Sequence, residues 1–236
     1  MNEDMNRDAG TDLADRLATL FEPVSGEASA IALASYQCLA RGRPASIRDI
    51  ARCAGLDEAV AAAWLQQAPA VYRADDRIIG FWGLSVQPMT HELQIGAARA
   101  WAWCAWDALF LADLLQRPVG VRSVTGLTQR PVHLEVTPDG VNHRGEPLRV
   151  SFDLPRGDDW SEDVINSFCH HVHFLTEQEA QQWLGANPDG QVLPLDEAWA
   201  AGLAMNRVHF PDRNRPVNLR MADRSDSGQL REGPGT

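Results

Sequence analysis

The chain has 236 residues, is 44% hydrophobic with eight tryptophans, and carries a formal net charge of −11. That length and apolar content support a sizeable buried core, and the acidic balance argues against general affinity for nucleic acid or an anionic membrane. All 21 basic residues are arginine, which excludes Schiff-base chemistry, a lysine general base and a phosphate-loop lysine.

Residues 1–10 are polar and read as disordered, without the pattern of a signal peptide. No run of about 18 apolar residues predicts a membrane span, so the expected location is the cytoplasm. Four cysteines in a chain this long are too sparse for a secreted disulfide framework. Leu13, Leu17 and Leu20 repeat at helical spacing, and Ile31, Leu33, Tyr36 and Leu39 mark a second helix. Ser46 caps a short helix ended by Gly55, and Asp57 caps another through about Gln67. Cys38 and Cys53 lie among alanine and aliphatic neighbours and read as packing residues. Val71–Arg73 and Ile78–Phe81 flank a polar turn, as in a hairpin. Helices followed by a hairpin give residues 11–87 a winged-helix-like outline.

From residue 88 the pattern changes to a core expected to extend to 210. His91–Ile95 is strand-like, and Ala98–Leu115 reads as one strong helix ended by Arg117-Pro118. Val119–Val124, Val132–Thr137 and Leu148–Leu154 are expected strands. Residues 163–167 form a short helix before Cys169, and His171–Leu175 is strand-like. Thr176 and Glu179 make a capping box, and Asp196 caps a last helix through Val208. Residues 211–236 have the composition of a flexible tail. The expected fold is α+β: the helical N-terminal region packs on a mixed or antiparallel β-sheet core with flanking helices.

Two segments carry the chemistry. In Trp101-Ala102-Trp103-Cys104-Ala105-Trp106-Asp107, the expected helix puts Cys104 and Asp107 on one face. A carboxylate among Trp106, Ala108, Leu109 and Phe110 costs stability unless paired and has a raised pKa, the condition for proton transfer near neutral pH. In Asn166-Ser167-Phe168-Cys169-His170-His171-Val172-His173-Phe174, a second thiol sits beside a histidine cluster. Strand alternation places His171 and His173 on one face, but no second ligand cluster with zinc-finger spacing accompanies them.

These two segments, with the closing Asp196-Glu197-Ala198-Trp199 and Met205-Asn206-Arg207, resemble the organomercurial (alkylmercury) lyases over about residues 25–210. The resemblance implies Cys104 and Cys169 as catalytic thiols and mercury ligands, with Asp107 as proton carrier and further ligand. Trp103, Phe168 and His170 are then expected at the substrate pocket; His170 stands where some members carry another cysteine. The implied reaction is protonolysis of a carbon–mercury bond, leaving a hydrocarbon and bound Hg(II). It implies no cofactor, and low-molecular-weight thiols or a mercuric reductase as Hg(II) acceptor. Two other functions compete: a metal-sensing winged-helix regulator and a non-catalytic metal carrier. Against the regulator, the segment from Asp57 to Gln67 offers no Arg or Lys for phosphate or base contacts. Against the carrier, simple capture has no need of Asp107.

Overall fold

The computed structural model describes residues 13, 15–17, 21–154 and 164–213. The expectations for residues 1–10, for Leu20 and for residues 214–236 lie outside the described residues.

After helical residues at 13 and 15–17, α1 spans Gly26–Leu39. A two-residue strand, β1 (Ala45–Ser46), leads into α2 (Ile47–Ala54), whose first turn is closed by the Ser46 side chain accepting the Asp49 N–H. Gly55 ends α2 in the left-handed conformation at φ 71°, which glycine adopts without a Cβ penalty. Asp57 caps α3 (Glu58–Gln67) by accepting the Ala59 N–H. Each such cap is worth about 1 kcal/mol. The hairpin β2 (Val71–Ala74) and β3 (Arg77–Phe81) follows, and β3 turns through Trp82-Gly83 into β4 (Leu84–Ser85).

The sheet does not stop there. β4 pairs with β6 (Ala98–Ala102), and β6 pairs with β5 (His91–Ile95) across a turn at Gly96. Next come β7 (Val119–Val124), β8 (Pro131–Thr137) and β9 (Gly140–His143), all antiparallel. Among the described residues this makes a nine-stranded sheet in the order β1-β3-β4-β6-β5-β7-β8-β9, with β2 also on β3. Alternation sets its faces: Val132, Leu134 and Val136 point inward from β8 while the residues between them stay exposed.

A smaller antiparallel sheet has β10 (Leu148–Phe152) at its centre, flanked by β11 (Phe174–Thr176) and β12 (Gln191–Pro194). The short helix α5 (Val164–Ser167) and a 3-10 turn (Cys169–His171) precede β11. Helix α6 (Glu177–Ala186) opens with the expected Thr176/Glu179 capping box. Helix α7 (Leu195–His209) begins one residue before the expected cap at Asp196.

One expectation fails in an instructive way. The segment from Ala98 to Leu115 is two elements, not one helix: strand β6 ends at Ala102, and helix α4 runs from Asp107 to Leu115. Ala100 and Ala102 are buried in strand alternation, and their pairing with β5 overrides the helix propensity of alanine. Every residue of α4 is buried, so no polar face marked where it starts. His171 likewise lies in the 3-10 turn rather than on a strand.

Candidate active site

The tight connection from β6 to α4 puts Cys104 in a turn and Asp107 at the first residue of the helix. Asp107 is therefore not a mid-helix anomaly. Its Oδ2 accepts the Cys104 N–H at 3.0 Å, and its own N–H donates to Cys104 Sγ at 3.4 Å. The pair closes the helix start in the way a capping side chain does. The N-terminal end of the helix also favours negative charge on either group.

Cys169 arrives from the other motif. Ser151 on β10 fixes that loop: its hydroxyl donates to the His171 carbonyl at 3.0 Å and accepts the His173 N–H at 2.9 Å. Ala105 N–H donates to the Val172 carbonyl and ties the two motifs together. Gly126 lets the loop approach, because a Cβ there would stand 2.7 Å from His173 Cβ. Cys169 Sγ consequently lies 3.8 Å from Asp107 Oδ2, donating to it. The ligand atoms of Cys104, Asp107 and Cys169 all fall within 4.8 Å of one another, and all three residues are buried. The described histidines join no such cluster.

Burial governs the electrostatics. It pushes the Asp107 carboxyl up to about 6, against hydrogen bonds from the Cys104 thiol and N–H and from the Cys169 thiol, which pull it down. Burial also pushes the Cys104 thiol well above its ordinary value, helped by hydrogen bonding with Cys169 and the charge of Asp107. At neutral pH the resting site therefore holds a protonated Cys104 thiol beside an ionised carboxylate that can take a proton. Tyr36, raised by its own burial and then by the Asp107 charge, stays a phenol and donates to the Trp82 carbonyl at 2.8 Å.

A cavity of about 510 Å³ opens onto this cluster. Asp107 and Cys169 line it, whereas Cys104 lies fully buried behind them and is not in the lining. Trp103 and Phe168 line it as well; His170 is exposed and does not. Met205, from the closing segment, lines it too, and further wall comes from residues that no sequence motif marks: Tyr36 on α1, Trp64 on α3, the Trp82-Gly83 turn, and His209 on α7. Gly83 carries its own signature, since it sits at φ 93° and a Cβ there would meet Asp107 Oδ1 at 2.5 Å. Trp106 anchors the floor: its indole N–H donates to the Ala198 carbonyl at 2.9 Å, and its ring meets Phe110, Phe152 and Phe168 edge-on. Asn206 Nδ2 donates to the Phe110 carbonyl and to Asp113 Oδ2, tying α7 to α4. Gly202 allows that contact, because its Cβ would stand 2.8 Å from Phe110 Cβ.

Comparison with known proteins points to one family. The family model described as "MerB: Alkylmercury lyase" matches residues 84–206, the span that includes both thiols and the carboxylate. An alkylmercury lyase of Streptomyces lividans is 33% identical over 196 residues, covering 80% of this chain and 89% of that protein. One of Bacillus cereus is 31% identical over 184 residues, covering 77% and 82%. A crystal structure of the mercury-bound form of MerB2 has the same fold, with a TM-score of 0.62 at 21% identity over 84% of this chain and 98% of that one. With its buried dithiol–carboxylate cluster and this similarity along most of its length, the chain belongs to the alkylmercury lyase family.

Proposed function

We propose that the protein cleaves the carbon–mercury bond of organomercurials by protonolysis, with Cys104, Cys169 and Asp107 as the catalytic groups. The observation that carries this is the placement of two thiols and one carboxylate within 4.8 Å of one another, with Cys169 and Asp107 lining an apolar cavity. Mercury in R–Hg–X is soft and two-coordinate, and thiolates are its preferred protein ligands.

Cys169 meets the substrate first, because it faces the cavity and Cys104 does not. Its proton passes to Asp107 as its sulfur replaces X on mercury, and X leaves as HX with that proton. Asp107, again ionised, takes the proton of Cys104, whose thiolate adds to mercury as a second sulfur donor. The added electron density polarises the C–Hg bond toward carbon, and Asp107 delivers the proton there. The bond to carbon breaks, RH departs, and Hg(II) stays on the two sulfurs with the Asp107 oxygen beside it. The net reaction is R–Hg–X plus two protein thiols giving RH, HX and a protein-bound mercuric dithiolate, with no redox change and no cofactor in any step. Two incoming thiols then protonate the cysteines and carry Hg(II) away, to low-molecular-weight thiols or a mercuric reductase. A thiol-rich cytoplasm suits this exchange. The aromatic lining holds R and keeps water from the proton donor.

Residues 11–87 act in this reading as a winged-helix-like unit that walls the cavity through Tyr36, Trp64 and Trp82. This reading gives it no nucleic-acid role, since α3 bears no basic side chain for phosphate contacts. None of the described helices is long and apolar enough to cross a membrane.

The test is single-turnover reaction with phenylmercury, measuring benzene. The expected result without added thiol is about one benzene per chain followed by a stall, and resumed turnover once thiol is supplied. Tight mercury binding with no benzene at all would identify a carrier instead.

A further inference from the structure

The other two cysteines are also a pair. Cys38 on α1 and Cys53 on α2 are both buried, and their sulfurs lie 3.5 Å apart, with Cys38 donating to Cys53. The Arg41 guanidinium, in the turn that joins the two helices, donates to Cys53 Sγ at 3.9 Å. Neither thiol lines the catalytic cavity. Two cysteines used only as small hydrophobes have no need of each other or of a cation.

We propose that Cys38 and Cys53 form a second binding site for a soft, two-coordinate cation, with Hg(II) as its ligand, separate from the catalytic cluster. The ligand set is sufficient, because two thiolates satisfy such an ion without a third donor. The charge is also suitable. Hydrogen bonding from Cys38 pulls the Cys53 thiol down, against burial, and Arg41 pulls the same way, while Asp49 opposes them. Cys53 is therefore the sulfur held toward the thiolate, with the Cys38 proton directed at it. The hydrogen bond with Cys53, and then burial, hold the Cys38 thiol up.

The geometry asks for little movement. Metal–sulfur bonds of the order of 2.3 Å place the two sulfurs of a linear site roughly 4.6 Å apart, so the pair opens by about 1 Å, within reach of a small χ1 adjustment. Capture is a ligand exchange that balances without an oxidant. Starting from a mercuric bis-thiolate, Hg(SR)2, the Cys53 thiolate displaces one RS⁻. Cys38 then binds mercury and gives its proton to the second thiolate, which leaves as RSH. The pair differs from the catalytic cluster in one chemical respect: Asp49 contacts neither sulfur by hydrogen bond, since its carboxylate is engaged by Ser46 and Arg52. The site has no proton carrier facing an organic group, so it binds the ion without cleaving anything.

Mercuric chloride in a modest excess of a monothiol is the probe, and intact-protein mass with alkylation mapping is the readout. Wild type should retain two Hg(II) per chain, with all four cysteines protected from alkylation. Cys104→Ser/Cys169→Ser should retain one, on Cys38 and Cys53, and adding Cys38→Ala should remove it. Cys38→Ala/Cys53→Ala should retain one and release hydrocarbon within about twofold of wild type. The alkylation map of wild type serves even where a variant fails to fold. A single Hg(II) on wild type would overturn the proposal, as would alkylation of Cys38 and Cys53 at full rate in mercury. So would a mercury-free disulfide between them, seen as the loss of two hydrogen masses and restored by reductant.

Discussion

The two buried thiol pairs of this protein differ in what surrounds them. Cys104 and Cys169 share a carboxylate, Asp107, and an apolar cavity of about 510 Å³ reaches Cys169 and Asp107. Cys38 and Cys53 have a guanidinium, Arg41, donating to Cys53, and neither lines that cavity. Thiols alone explain affinity for a soft ion in both places. Only the first pair has an acid whose pKa, about 6, allows it to take and return a proton near neutrality. What separates a cleaving thiol pair from a binding one in this fold is therefore the third group and room for an organic substituent.

The largest expected effect comes from removing a sulfur of the first pair. Cys169→Ser should abolish hydrocarbon release, because a hydroxyl is a poor ligand for mercury. Its near-native volume should leave the circular dichroism spectrum unchanged. Detectable benzene at wild-type rate from this variant would sink the dithiol mechanism.

Next is the acid. Asp107→Asn should still capture the mercurial but release hydrocarbon about 100-fold more slowly, the scale of general acid–base assistance. The same residue sets a pH limb. As pH falls through about 6 the carboxylate is protonated and can no longer accept the thiol proton, so the single-turnover rate of wild type should drop there. In Asp107→Asn that limb should vanish; a limb of unchanged position would assign the titration to another group.

A smaller effect separates the presence of the acid from its placement. Gly83→Ala puts a Cβ 2.5 Å from Asp107 Oδ1 and strains a backbone at φ 93°. The carboxylate has to move while remaining titratable. A rate loss of roughly 10- to 100-fold is expected from such misplacement, with the pH limb retained. Full activity in Gly83→Ala would show that the position of the carboxylate is not demanding.

The thiols and the acid were legible in sequence because each sits in a short run of unusual composition. Their geometry was only partly so. Cys104 and Asp107 are neighbours through a turn and a helix start, whereas periodicity read them as one helix, since alanine and tryptophan fit a buried strand and a buried helix equally well. The Tyr36, Trp82 and His209 wall was not legible, since those residues come from α1, the β3–β4 turn and α7 and converge only in the tertiary fold. Gly83, next to Trp82, left a trace, but nothing local tells a glycine that makes a turn from one that makes room for a carboxylate. The Cys38–Cys53 contact was missed for a related reason: 15 residues apart on separate helices, they meet through the crossing set by the turn at Arg41–Pro44.

The smallest effect is on stability, and its sign distinguishes a catalytic acid from a structural one. Asp107 has its folded-state pKa raised from 3.8 to about 6, chiefly by burial. The folded protein thus binds more protons than the unfolded chain between those values, and stability contributed at this site falls as pH rises through that window. Above pH 6 the ionised group costs the fold about 3 kcal/mol at most, from 1.36 kcal/mol per unit; loss of its hydrogen bonds from Cys104 and Cys169 on substitution reduces the recoverable part. Asp107→Asn should therefore be more stable than wild type at pH 7.5 by about 1–2 kcal/mol, and equal to it near pH 4, in paired urea denaturation curves. A variant less stable at both pH values would mean that the carboxylate holds the helix start together more than its burial strains it, and that its place at the thiols is structural before it is chemical.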